Sequence, residues 1–220
     1  MPSQTFFNLS DVRRQIIIDA AIAEFASHSY EAASISSIVS QAKIAKGSFY
    51  QYFEDKQDLY LYLVDWALEA RRAFIATANL PSIQAGFFVY LRALFQANLE
   101  FQLANPAFTQ ILFRGPHFGD VPFREEVFRR TKAGSIEFMR QCVQEGINQG
   151  QLSAQINPDV AAIMIVTLGI ELRRFIPILL GIDTNQLVKD SPNVDRDAIS
   201  KILDDFVRIL ERGIRGSNDS

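Results

Sequence analysis

Within seven residues, Lys46, Gly47, Ser48, Tyr50, Gln51 and Tyr52 bring together a cation, a position without a side chain, three hydroxyls and a carboxamide. None of these groups is a nucleophile beside a base or a metal ligand. Together they hydrogen-bond and neutralise charge. A lysine meets a phosphate or a guanine edge, a glutamine pairs its donor and acceptor with adenine, and a serine serves several bases. The tyrosine hydroxyls reach phosphate oxygens, and Gly47 lets the backbone come close to a bulky polyanion. Ser34 and Lys56 stand at expected helix starts, where free N–H groups and the helix dipole also favour a phosphate. Ser36 joins the base-edge set. The chemistry this row suits is contact with the phosphates and base edges of a duplex.

The charge balance constrains that reading. The 220 residues carry 22 Lys and Arg against 25 Asp and Glu, a net charge of −3, which by itself argues against a nucleic-acid partner. Distribution matters more. Residues 32–53 hold Lys43 and Lys46 and no acid, and a local positive face binds phosphates even on an acidic protein. Other chemistries find no purchase. His28 and His117 have no companion at metal-ligand spacing, and Cys142 stands alone as an inert thiol. No phosphate loop, dinucleotide fingerprint or nucleophile elbow occurs, so neither an enzyme nor a cofactor is expected. One cysteine forms no internal disulfide, and the first ten residues lack the features of a signal peptide, which places the chain in a reducing cytoplasm. The apolar run at 160–180 carries Glu171, Arg173 and Arg174 in its middle, which excludes a membrane span.

These residues need elements to hold them. Apolar spacing of period 3.6 recurs along the chain and no alternating run is long enough for a strand, so the fold class is all-α. The spacing predicts helices at 11–27 with Ser10 as cap, a short one after Ser34, another at about 46–53, and a long one at 56–79 begun by Asp55 and ended by Pro81. Further helices are expected at 82–104, 106–113, 122–149, 158–180 and 195–215. In the first, Ile17, Ala20, Ala21, Glu24 and Phe25 form one stripe. Ile44, Phe49 and Phe53 turn inward against Phe25, Ile38 and Val39, which leaves the polar row outside. Two short helices joined by a tight turn make a helix-turn-helix candidate.

The segment SISSIVSQAKIAKGSFYQYFEDKQDLY resembles the helix-turn-helix of the TetR family of bacterial transcriptional regulators, whose pattern reads T-x-x-x-I-A-x-x-A-G-V-S-K-G-x-x-Y-x-Y-F-x-x-K-x-x-L. The match covers about residues 16–63. Lys43 replaces the glycine of the turn, and Ala45 replaces the hydroxyl residue that caps the recognition helix. The stretch CVQEGINQGQLSAQINPDVAA also resembles the family's approach to its dimer helix. The resemblance implies a three-helix DNA-binding head at 1–55 and a larger helical body at 56–220 that binds a ligand and dimerises. It implies a palindromic operator, a homodimer and a repressor.

The body supplies candidates for both roles. Eleven of the 18 phenylalanines lie between Phe74 and Phe138, enough to line a pocket for a small apolar or aromatic ligand. Trp66, Phe95, Phe113 and Phe138 are the candidate lining, with Arg114 or His117 as polar anchor. Residues 160–172 are apolar except Thr167 and Glu171, wider than one core needs, and Gly169 permits close helix approach. The expected dimer surface is Val166, Gly169 and Ile170 with Ile202, Phe206 and Leu210 of the last helix. A helical small-molecule carrier whose hairpin never meets DNA accounts for the same composition, and salt-dependent retention on DNA separates the two.

Overall fold

The structure, a computed structural model, describes residues 1–106, 108, 111–112, 122–181 and 195–214, with the backbone alone at 174, 177 and 214. Every regular element so described is helical. In chain order they are α1 (Gln4–Phe7), α2 (Asp11–Ser27), α3 (Ile35–Gln41), α4 (Lys46–Tyr52), α5 (Lys56–Thr77), α6 (Phe87–Ala104), α7 (Arg124–Asn148), α8 (Pro158–Leu179) and α9 (Arg196–Ile214). Short polar side chains start α2, α3, α5, α8 and α9 by accepting orphan amide N–H groups. Ser10 accepts from Arg13, Ser34 from Ser37, and Asp55 from Asp58. Asn157 and Asp195 accept two N–H groups each at α8 and α9.

Two elements differ from the expected pattern, and a third cannot be compared. α1 was not legible as a helix at all. The helix expected at 82–104 is divided: Ser82 caps a 3-10 turn at Ile83–Ala85, and Gly86, at φ 146°, resets the chain before α6. The helix expected at 106–113 lies largely outside the described residues.

The chain forms two compact units. One comprises Met1–Arg72 and Asn105–Thr131, the other Ala73–Ala104 and Lys132–Ser220. The first therefore runs past residue 55, because α5 buries Leu59, Tyr60, Leu63, Val64, Ala67 and Leu68 in the same core as Phe25, Ile38, Val39, Phe49 and Phe53. Within this unit the Tyr60 hydroxyl donates to Ile111 O at 3.1 Å, and Phe123 stands edge-on to Tyr30 at 4.9 Å.

In the second unit α9 packs on α6. Arg92 Nε donates to Asp204 at 2.7 Å and the Phe95 ring meets Phe206 at 5.3 Å. Arg173 is buried, its Nε donating to Gly169 O at 3.2 Å and its Nη1 to Asn98 at 3.1 Å. The apolar run 160–172 has two faces. Val166, Gly169 and Ile170, expected at a dimer surface, are turned into their own chain. A Cβ added to Gly169 would stand 2.5 Å from Phe95 Cε1, so this glycine serves packing inside the protomer. Leu210 is likewise buried, whereas Ile202 and Phe206 are half-open. The solvent face of α8 is instead Val160, Ile163, Met164, Leu168, Phe175, Ile178 and Leu179. Among the described residues no helix is long and apolar enough to cross a membrane, and no cluster of His, Cys, Asp and Glu is placed to hold a metal.

Candidate nucleic-acid interface

The turn between α3 and α4 is built by backbone hydrogen bonds. Ile44 N–H donates to Val39 O at 3.0 Å and Lys43 N–H to Ser40 O at 3.2 Å, the paired bonds that close a helix through a left-handed residue. That residue is Lys43, at φ 53°. It stands where the family pattern has glycine, and an L-residue there carries a steric cost. α4 then starts at Ala45, whose side chain offers no cap. Both local costs can be removed. Ala45→Ser is expected to raise the unfolding free energy of the head by about 1 kcal/mol. Lys43→Gly should add about 0.5–1 kcal/mol, the relief of φ outweighing the entropy glycine loses on folding. Urea unfolding of the two variants checks both, and a loss of stability in either would show that its backbone is not held as described.

The geometry of α4 separates an inner side from an outer one. Phe49 is fully buried, and Phe53 follows it into the core. Lys46, Gly47, Tyr50 and Gln51 are exposed, while Ser48 and Tyr52 are half-buried. Ser36 is exposed on α3. A Cβ added to Gly47 would meet nothing within 4 Å. Ser34 is held twice: its Oγ caps α3, and its N–H donates to Glu24 Oε1 at 2.9 Å.

Glu24 was expected on the apolar stripe of α2 and given no task there. It is buried, and its other carboxylate oxygen accepts from Ser37 Oγ at 2.6 Å. Burial alone would raise its pKa. The hydrogen bonds from Ser37 and from the Ser34 N–H, with His28 nearby, outweigh burial and hold the carboxyl below its ordinary value. A carboxylate thus ties α2 to the first turn of α3. The sequence signal was an acid inside a buried stripe, ten residues before a serine cap.

Lys56 also has a different place from the one foreseen. Its ammonium donates to Glu31 O at 3.1 Å and Ala33 O at 3.0 Å and lies 4.7 Å over the Tyr30 ring. It clamps the loop before α3 to the start of α5. Phenolate formation at Tyr30 is disfavoured by burial and by Asp55, which push its pKa up to about 12.

The candidate ligand residues are distributed over both units. Trp66 stands edge-on to Phe108 at 4.6 Å in the first unit. In the second, Phe95 is core against Gly169 and Phe206, and Phe138 is exposed on α7. Phe113, Arg114 and His117 lie outside the described residues. A cleft of about 500 Å³ opens beside the start of α7, lined by Pro122, Phe123, Arg124, Glu125, Glu126 and Arg129, and it includes none of these candidates.

Comparison with known proteins places this geometry. Residues 17–63 match the sequence model described as bacterial regulatory proteins, tetR family, and residues 85–215 that of the tetracyclin repressor-like C-terminal domain. The crystal structure of a TetR family transcriptional regulator from Chloroflexus aurantiacus J-10-FL is similar at a TM-score of 0.78 and 34% identity, over 98% of this chain and 99% of that one. The HTH-type transcriptional regulator YhgD of Bacillus subtilis (strain 168) is 23% identical over 89% of this chain and 94% of its own. The "Probable acrEF/envCD operon repressor" of Escherichia coli (strain K12) is 26% identical over 69% and 70%.

Proposed function

The chain belongs to the TetR family of bacterial transcriptional regulators, and from that premise we propose that it is a cytoplasmic, ligand-responsive repressor. It occupies a palindromic operator as a homodimer and leaves when a small apolar or aromatic ligand binds. Each α4 enters one major groove, the two about one helical turn (~34 Å) apart. Residues 1–55 are the DNA-binding head and 56–220 the ligand-binding and dimerisation body.

The observation that carries the reading is Gly47. Gly47 stands in the first turn of α4, and no neighbour in the chain requires a glycine there, since the space beside it is open. The missing side chain leaves room for a close partner, and Lys46, Tyr50 and Gln51 around it support a duplex as that partner. Ser34, Tyr50 and Tyr52 serve phosphates, and Ser36, Lys46, Gly47, Ser48 and Gln51 serve base edges. Repression is favoured because a relative, the Escherichia coli protein, is named a repressor.

Release follows from α5. Its first turn is tied to the loop before α3 through Lys56, and the Glu54 N–H donates to Asp58 at 3.2 Å. A ligand that tilts α5 moves the recognition helix with it. A difference of ~1–3 kcal/mol in ligand affinity between the two head spacings suffices for release.

Selection of duplexes from a randomised pool tests the operator. Gln51→Ala is expected to relax specificity at one base pair by ~1–3 kcal/mol, and Tyr50→Phe to weaken all sequences alike. Binding that ignores salt, or that survives Lys46→Glu combined with Tyr50→Ala, would overturn the reading. Thermal-shift screening of hydrophobic compounds, followed by operator release, tests the ligand.

A further inference from the structure

α4 is seven residues long, a length at which an isolated helix does not persist in water, and its first turn has no side-chain cap. Tertiary contacts must hold it, and the carbonyls of its last turn need donors. Residue 3 supplies two. The Ser3 N–H donates to Tyr52 O at 2.8 Å, and Ser3 Oγ donates to Gln51 O. Three residues on, Phe6 is fully buried, its ring centroid 4.8 Å from that of Phe53, 5.3 Å from Tyr62 and 6.1 Å from Tyr52. Arg14 Nη1 donates to Phe7 O at 2.7 Å and ties the end of α1 to α2. These residues precede the stretch matched to the family, which begins at residue 17.

We infer that residues 3–7 form a strap that sets the pose of the recognition helix, with Ser3 as a positioning residue for sequence-specific DNA binding. The inference rests on α4 being the DNA-contacting helix. Ser3 holds the backbone of Gln51, the residue assigned to read a base pair, and of Tyr52 behind it. Phe6 wedges the aromatic layer under the same turn. A loosened strap lets the end of α4 fray and swings Gln51 off its base. Phosphate contacts tolerate that movement and base-edge contacts do not, so specificity falls before non-specific affinity does.

Ser3→Pro and Ser3→Ala test this. Ser3 has φ −70° and ψ 161°, angles that proline adopts, so Ser3→Pro removes both donors and its ring Cδ, standing where the N–H met Tyr52 O, forces that contact open, while Ser3→Ala removes the hydroxyl donor alone and should give the same ranking of the two duplexes with a smaller loss. Ser3→Thr retains both. The probes are the duplex that the wild-type protein enriches from a randomised pool and a scrambled duplex of the same length. Ser3→Pro is expected to weaken the enriched duplex ~10-fold and the scrambled one less than about twofold. Amide exchange at residues 50–53 quickens, and Ser3→Thr matches the wild type in every readout. Equal loss on both duplexes with a lowered Tm would make the strap merely structural and overturn the proposal, as would unchanged affinity. If the wild type enriches no duplex, the operator reading has failed, and exchange at 50–53 alone then decides whether Ser3 holds α4.

Discussion

Replacing Glu24 with alanine is expected to remove about 1–3 kcal/mol of stability from the first unit, because it takes the acceptor from the part-buried Ser34 N–H and Ser37 hydroxyl together. Glu24→Gln keeps the shape and loses the charge, and should cost roughly half as much. The two variants differ from the wild type in a pH-dependent way. The folded-state pKa of Glu24 lies below its ordinary value, so the ionised form is what folding favours. Its contribution is complete above the unfolded carboxyl pKa of about 4.3 and is lost as pH falls through the lower, folded value. Urea unfolding at pH 7 and through the acid range should therefore show the gap between wild type and Glu24→Gln closing as the pH drops. A gap that stays constant, or an alanine variant as stable as the wild type, would mean that the carboxylate does not hold α3. Because Ser34 and Ser36 ride on α3, operator affinity should fall with stability.

That carboxylate illustrates what the sequence can and cannot disclose. Helix starts were legible because a cap is local: Ser10, Ser34 and Asp55 each bond an amide three residues on. The head was legible because Phe25, Ile38, Val39, Phe49 and Phe53 recur at helical spacing on three neighbouring helices and can meet in one core. α1 is four residues, too short for a period, and its meaning lies in Tyr52 and Phe53, far along the chain. Lys56 reads as a cation at a helix start. That the carbonyls of Glu31 and Ala33 come to meet it is a property of the folded loop. Phe95 reads equally as pocket or core, and a glycine on a neighbouring helix decides for core.

The run at 160–172 hid its orientation for a related reason, and the orientation in the folded chain yields the prediction with the largest consequence. A helix apolar almost all round has no phase, so the sequence could not say which half faces inward. With Val166, Gly169 and Ile170 inside, the open half of α8 is Val160, Ile163, Met164, Leu168, Phe175, Ile178 and Leu179, each between 42% and 65% exposed. These positions share one side of α8 in two groups, 160–168 and 175–179, with half-buried Glu171 and Leu172 between them. On α9, Ile202 and Phe206 are half-open and Ile209 is 71% exposed, four and three residues apart. An exposed apolar face of this length marks an interaction surface, and the homodimer proposed above supplies the partner. Pairing α8 and α9 with their symmetry mates closes it as a four-helix bundle. In that arrangement each substitution acts twice, once per protomer, near the axis. Leu168→Glu should therefore cost the dimer about 4 kcal/mol or more, raising its dissociation constant at least about a thousandfold. The protomer itself should lose little stability, since Leu168 is 42% exposed. Ile170→Glu would confuse the two effects, because that side chain is buried in its own chain. Sedimentation at micromolar concentration should show a dimer for the wild type and a folded monomer for Leu168→Glu, with operator affinity falling as one half-site replaces two. A variant carrying both Met164→Glu and Leu168→Glu that still sediments as a dimer would place the interface on another face.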